Sequence, residues 1–153
     1  MSFLCRKVYV MEIEFIYNDI IDRCEQLSSF ESMNKLDAAG ESRYLEIHIN
    51  EVDKLLIRQY VDQARLAIEE KMARMIASTE GTDTSFTWHM RTDTRWSGAT
   101  SFTKHVTEAI VAYAMSAWLS DRLPDRVAFY DALFTNSLAM AVKNIFTKQS
   151  PSK

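Results

Sequence analysis

The chain has 153 residues, 47% hydrophobic and 25% charged, with 18 Lys+Arg against 21 Asp+Glu and a formal net charge of −3. With a pI near 5.6, that balance excludes whole-molecule steering toward a polyanion, so sequence-specific nucleic-acid binding is not expected. Three glycines and two prolines are too few for turn-rich sandwiches and barrels, which points to long helices with few connections.

The amino-terminal Met1–Lys7 stretch lacks the apolar core of a secretory signal, and the longest nearly apolar run, Ala109–Leu119, is about half of what a bilayer requires. No membrane association is expected. Cys5 and Cys24 share no metal-ligand spacing and read as reduced thiols of a cytosolic product. A single helical domain over residues 1–148 is expected, with an extended arm or strand over 1–17, a strand-loop insertion over 84–99, and a disordered tail over 149–153.

From Val8 to Tyr17, Met11, Ile13 and Phe15 alternate with Glu12 and Glu14, the period of a strand. Asn18 is placed to cap a first helix with a buried stripe of Ile20, Ile21, Cys24, Leu27 and Phe30, stopping near Asp37–Gly40. Steps of three and four from Leu45 through Ile49, Val52, Leu56, Tyr60 and Ala64 to Met72 and Met75 predict one long second helix with a charged opposite face. Ser78–Asp83 ends it. Phe86, Trp88 and Met90 then alternate with Thr87 and His89 as a strand, continuing as a loop or return strand around Trp96. This segment forms a small hairpin between helical pairs, or pairs with the extended segment near Ile13.

A third helix from Ser101 or Thr103 to Arg122 turns Val106, Ile110, Tyr113, Ala114, Ala117 and Trp118 inward. Pro124 breaks it and starts the next helix, which carries Val127, Tyr130, Phe134, Leu138, Ala141 and Ile145 on one line, with Leu133, Val142 and Phe146 beside it. Met72, Met75, Met115 and Met140 are expected to fill gaps in the core. The fold class expected is mainly α: a four-helix arrangement with an N-terminal extended segment and a small β-hairpin or strand-loop insertion.

No catalytic constellation is legible. None of His48, His89 and His105 has a carboxylate three or four residues before it, so the Glu-x-x-His pairs of a di-iron bundle are absent, as is a zinc His-Glu-x-x-His. Gly40, Gly81 and Gly98 are isolated, leaving no glycine-rich phosphate loop, and no serine sits in a Gly-x-Ser-x-Gly elbow. The expectation is a protein without catalytic residues, cofactor or metal. Trp88 and Trp96 admit two readings: contact with another subunit, as Trp and Arg at hot spots make, or packing back onto the helices. On the first reading, Phe86, Trp88, Arg91, Arg95 and Trp96, with Glu12 and Glu14 of the arm, form a protein interface.

The phrase from Ile110 through Tyr113, Trp118, Leu123-Pro124 and Phe129-Tyr130, an apolar aromatic helix ended by Leu-Pro and followed by a helix with an early aromatic, resembles small helical head–tail connector or adaptor proteins of tailed bacteriophages and prophages, especially of Bacteroidetes. The resemblance covers about the last 50 residues. It implies a non-enzymatic virion-assembly protein that forms a homo-oligomeric ring, with portal or tail proteins as partners, located in the bacterial cytoplasm or the virion. No site residue transfers with it. A different class also fits: a small helical adaptor or regulator of a host or mobile-element protein, which would need an exposed apolar groove beside the last helix.

Overall fold

The period-two segment near the amino terminus forms strand β1 (Tyr9–Ile16), in a computed structural model that describes residues 9–92 and 96–145. Ile13 and Phe15 are buried and Glu12 and Glu14 exposed, because successive side chains leave a strand on opposite faces. The chain passes directly into α1 (Tyr17–Ser32). Asn18 lies inside its first turn instead of capping it. The Tyr17 N–H is taken by the Thr84 carbonyl at 3.0 Å, so the sheet satisfies a donor that the helix leaves open. Ile20, Ile21 and Cys24 are buried as expected, but Phe30 is exposed. The helix ends at Ser32, with Met33 extended and Asn34 at φ 61°. Asp37–Gly40 is a separate tight turn, where Asp37 Oδ1 accepts the Ala39 and Glu41 N–H groups and Gly40 takes φ 80°.

The expected second helix is split. A one-turn α2 (Tyr44–Ile47) and a 3-10 turn (Glu51–Asp53) precede α3 (Lys54–Lys71), with His48 and Asn50 in extended conformation between them. Tertiary partners capture the backbone groups that this break frees. Trp118 Nε1 donates to the Ile47 carbonyl at 2.7 Å, and the Ile49 N–H donates to Ser28 Oγ at 2.9 Å. The break also resets the phase. Ile57, Val61, Ala64, Ile68 and Met72 form the buried stripe, whereas Leu45 and Val52 point to solvent.

Beyond α3, the stretch expected to end the long helix carries strand β2 (Ile76–Gly81), which turns into β3 (Ser85–Thr92). The sheet order is β1-β3-β2, antiparallel throughout, with Ile13 and Thr79 on either side of Trp88. The aromatic segment therefore pairs with the region of Ile13, one of the two arrangements expected. Its hairpin partner lies upstream, not around Trp96.

Helix α4 (Ala99–Leu119) stops before Leu123, and Pro124 opens a 3-10 turn (Pro124–Arg126) leading into α5 (Val127–Ile145). The Ser116–Asp131 hydrogen bond and the Tyr113–Phe134 ring contact set these helices antiparallel. Val106, Ile110, Ala114, Met115 and Trp118 are buried from α4, and Tyr130, Leu138 and Ala141 from α5. Met140, expected in the core, is exposed, and Phe146 lies outside the described residues. Among the described residues the architecture is mainly α, with four helices of several turns, the one-turn α2 and a small antiparallel sheet.

The sheet's inner face packs its aromatic residues against α3 and α4. Phe15, Phe86 and Phe102 surround Trp88 at ring-centroid distances of 4.9, 5.8 and 6.4 Å. Truncating a fully buried indole of this kind costs about 3–5 kcal/mol, so β1, β3 and α4 form one packing unit.

Candidate interaction surfaces

The residues expected to form a protein interface divide by burial. Phe86 and Trp88 have no exposed surface and Trp96 has 7%, so all three are internal packing residues. On the inner face of β3, Phe86 lies under the Arg65 guanidinium of α3 and Trp88 beside Phe102 of α4, and the Trp96 indole donates to the Asn144 carbonyl of α5 at 2.7 Å. Packing back on the helices is thus the reading of these tryptophans that the fold adopts. Arg91 is exposed and donates to the Arg74 carbonyl at 3.1 Å. Arg95 lies outside the described residues, as does Cys5. Glu12 and Glu14 remain on the outer face of β1, where Glu12 and Glu80 flank His89 at 3.5 and 3.2 Å.

Several polar groups are used to hold elements together. Tyr17 donates to Asp62 at 2.7 Å and accepts from Arg65 at 3.1 Å. Glu69 accepts from Arg65 at 2.8 Å and from Trp88 Nε1 at 3.0 Å, tying α3 to the sheet. Burial, then the bond to Asp62, holds the Tyr17 hydroxyl above its usual pKa. Cys24 is buried among apolar neighbours, which pushes its thiol up to about 12; it behaves as a small hydrophobe, not a nucleophile. Among the described residues no group of three or more His, Cys, Asp or Glu is placed to hold a metal ion. No helix among them is long and apolar enough to cross a membrane.

A groove of about 650 Å³ runs between α1 and α5, floored by α4. Leu27, Val111 and Leu133 line it, with Phe30 and Phe129 at its lips. Glu31 closes one end. Its carboxylate accepts Arg126 Nε and Nη2 at 2.9 and 3.0 Å and the Tyr130 hydroxyl at 2.9 Å, joining α1 to α5. Burial and then the Glu31 bond raise the Tyr130 pKa, so this phenol keeps its proton through the neutral range. All three groups are mutually satisfied, which suits a structural clasp better than proton transfer. Two turns earlier on α1 stands Arg23, which among the described residues reaches only Gln26, at 3.5 Å. Lys104 of α4 lines the same end and has no partner among the described residues.

A second surface is convex. Val52, Leu55 and Leu66 are 87%, 77% and 65% exposed along one line of α3 and its preceding turn. Gln59, Gln63 and Glu70 complete that line at steps of three and four, and all three are exposed. The sequence places Val52 on the buried stripe and a different set, from Glu51, Lys54 and Arg58 to Lys71, on the charged face, leaving Leu55 and Leu66 unassigned. The signal that could have found it was the phase of Ile57, Val61, Ala64 and Ile68, which puts Leu55 and Leu66 on the opposite side. The groove was anticipated only as a requirement of an adaptor, without its residues.

No protein family, curated protein or solved structure was found to match the chain.

Proposed function

We propose that this protein is a non-enzymatic assembly component, acting as a head–tail connector or tail-completion adaptor of a tailed phage or prophage by packing side by side with its own copies into a ring. The single observation that carries this reading is that one folded chain exposes two dissimilar apolar surfaces: the groove between α1 and α5, and the Val52–Leu55–Leu66 line on α3. Subunits that close into a ring use a heterologous contact, in which each copy offers two different patches. Exposed apolar side chains aligned along a helix also have an energetic cost in a lone monomer, which association relieves. The proposed location is the bacterial cytoplasm and then the virion, with portal or tail proteins above and below the ring.

The polar groups support the same reading. Glu31, Arg126 and Tyr130, and likewise Tyr17, Asp62, Arg65 and Glu69, serve to fix helix positions. Light scattering of the purified chain at high micromolar concentration tests the proposal. A closed oligomer of defined mass is expected, and co-expression with the portal and tail proteins of the same element should recover a stable complex. A compact monomer that binds neither partner would end this reading.

The groove beside α5 also favours a second reading, an adaptor that receives an amphipathic helix from a host or mobile-element protein. That reading predicts a monomer in isolation and a one-to-one complex with a protein outside the particle.

A further inference from the structure

We propose that the exposed line of α3 on one copy seats in the groove between α1 and α5 of the next. This inference rests on the ring reading above and names the two surfaces that form its repeating contact. Dimensions are the first argument. From Lys104 to Val111 the floor helix rises roughly 10 Å at 1.5 Å per residue, and Phe129 and Leu133 of α5 continue the lining toward the clasp. From Leu55 to Leu66 the α3 line spans roughly 16 Å by the same rise. The Leu66–Glu70 turn therefore lies over the floor and Leu55 extends to the Phe129 lip, and a helix laid in a groove is a common recognition mode for apolar side chains.

Charge is the second argument, and it fixes direction. Glu70 lies one turn beyond Leu66 on the same line and has no partner among the described residues. Arg23 and Lys104 occupy the end of the groove away from the Glu31–Arg126 clasp and lack a carboxylate partner among those residues, while Glu108 of the same lining faces His105 Nδ1 at 3.6 Å. With α3 antiparallel to the neighbour's α4, Glu70 reaches this basic end, Leu66 meets Leu27 and Val111, and Leu55 reaches Phe129. Gln59 and Gln63, between the two leucines, add no charge to the buried line. The opposite direction would set Glu70 beside the Glu31 end, where the basic partner Arg126 is already engaged.

Exposed residues allow a test that spares the fold. Leu66→Glu disables the line and Phe129→Asp the groove, and both should leave far-UV dichroism and melting unchanged. Each variant alone is expected to be monomeric by light scattering. Mixed in equal amounts, the two should form a one-to-one dimer and nothing larger, because one intact surface of each kind remains. Lys104→Glu and Glu70→Lys should each weaken assembly about tenfold, and the double exchange should restore it. If the wild-type chain assembles and both single variants assemble equally well, this docking is wrong while the ring reading stands. A wild-type chain that stays monomeric and binds neither the portal nor the tail protein overturns both. A mixture that grows beyond the dimer overturns the pairing of these two surfaces.

Discussion

Arg126 holds Glu31 with two guanidinium nitrogens, at 2.9 and 3.0 Å, across 95 residues of sequence. The two partners are unequally placed: the Glu31 side chain is 5% exposed and that of Arg126 35%. Removing either one therefore has a different cost. Arg126→Ala strands a buried carboxylate with only Tyr130 as donor and should lower stability by about 3–5 kcal/mol. Glu31→Gln leaves a guanidinium that can turn toward water, and about 1–3 kcal/mol is expected. Urea titrations of the two variants check the order. Equal losses would show that the ion pair is not closing the end of the groove.

Trp96 and Gly98 together lock the carboxyl-terminal part of α5. A Cβ added at Gly98 would fall against the Asn144 carbonyl and 2.9 Å from Trp96 Nε1. Gly98→Ala should cost about 1–3 kcal/mol through overpacking. Trp96→Ala should cost about 3–5 kcal/mol and leave self-association unchanged once the lost folded fraction is allowed for. Thermal melting paired with light scattering separates the two effects. A Trp96→Ala chain with native stability and weakened association would restore the interface reading of this tryptophan.

Ser28 donates to the Glu25 carbonyl and accepts the Ile49 N–H, at 2.7 and 2.9 Å. Ser28→Ala leaves that buried amide without its acceptor and should cost about 1–3 kcal/mol. Hydrogen exchange gives the sharper readout, because protection at Ile49 should fall much more than protection in the middle of α3. Unchanged exchange at Ile49 would show that another group satisfies this amide.

Stability should fall in alkaline solution. Burial raises Cys24 from 9.0 to about 12, and Tyr17 and Tyr130 are both held above 10.0, first by burial and then by their carboxylate partners. Well below pH 9.0 these groups keep their protons in both states and contribute no pH dependence. Above it, the unfolded chain releases protons that the folded one retains, so the free energy of unfolding declines, at up to about 1.4 kcal/mol per pH unit for Cys24. Denaturation midpoints from neutral pH to about 11 test this, with Cys24→Ala as the control for that thiol's share. A flat profile would contradict the burial of these side chains.

Much of the fold was legible because the relevant signals are local. The alternation at Ile13 and Phe15, the aromatic period-two run through Trp88, and the Leu123-Pro124 break each specify backbone geometry over a few residues. The phase of the second helix was not legible. Its apparent stripe from Leu45 runs unbroken in the sequence, but Ser28 and Trp118 reach in from other helices to hold the chain open between Ile47 and Asn50. β2 was hidden for a related reason. Its residues Ala77 to Gly81 are all exposed, so no buried face repeats along them. The strand exists because β3 supplies hydrogen-bond partners.

The sequence by itself determined a mainly helical chain with an edge strand, an aromatic strand and a proline-separated helix pair, since each follows from side-chain periodicity or backbone restriction within the segment. Only the tertiary structure decided that Phe86, Trp88 and Trp96 face inward, that Leu55 and Leu66 face outward, and that α1 and α5 leave a groove closed by Glu31. Periodicity identifies which residues share a face but not what that face meets. That is fixed by contacts between segments far apart in the chain, such as those between Glu31 and Arg126 or Ile47 and Trp118.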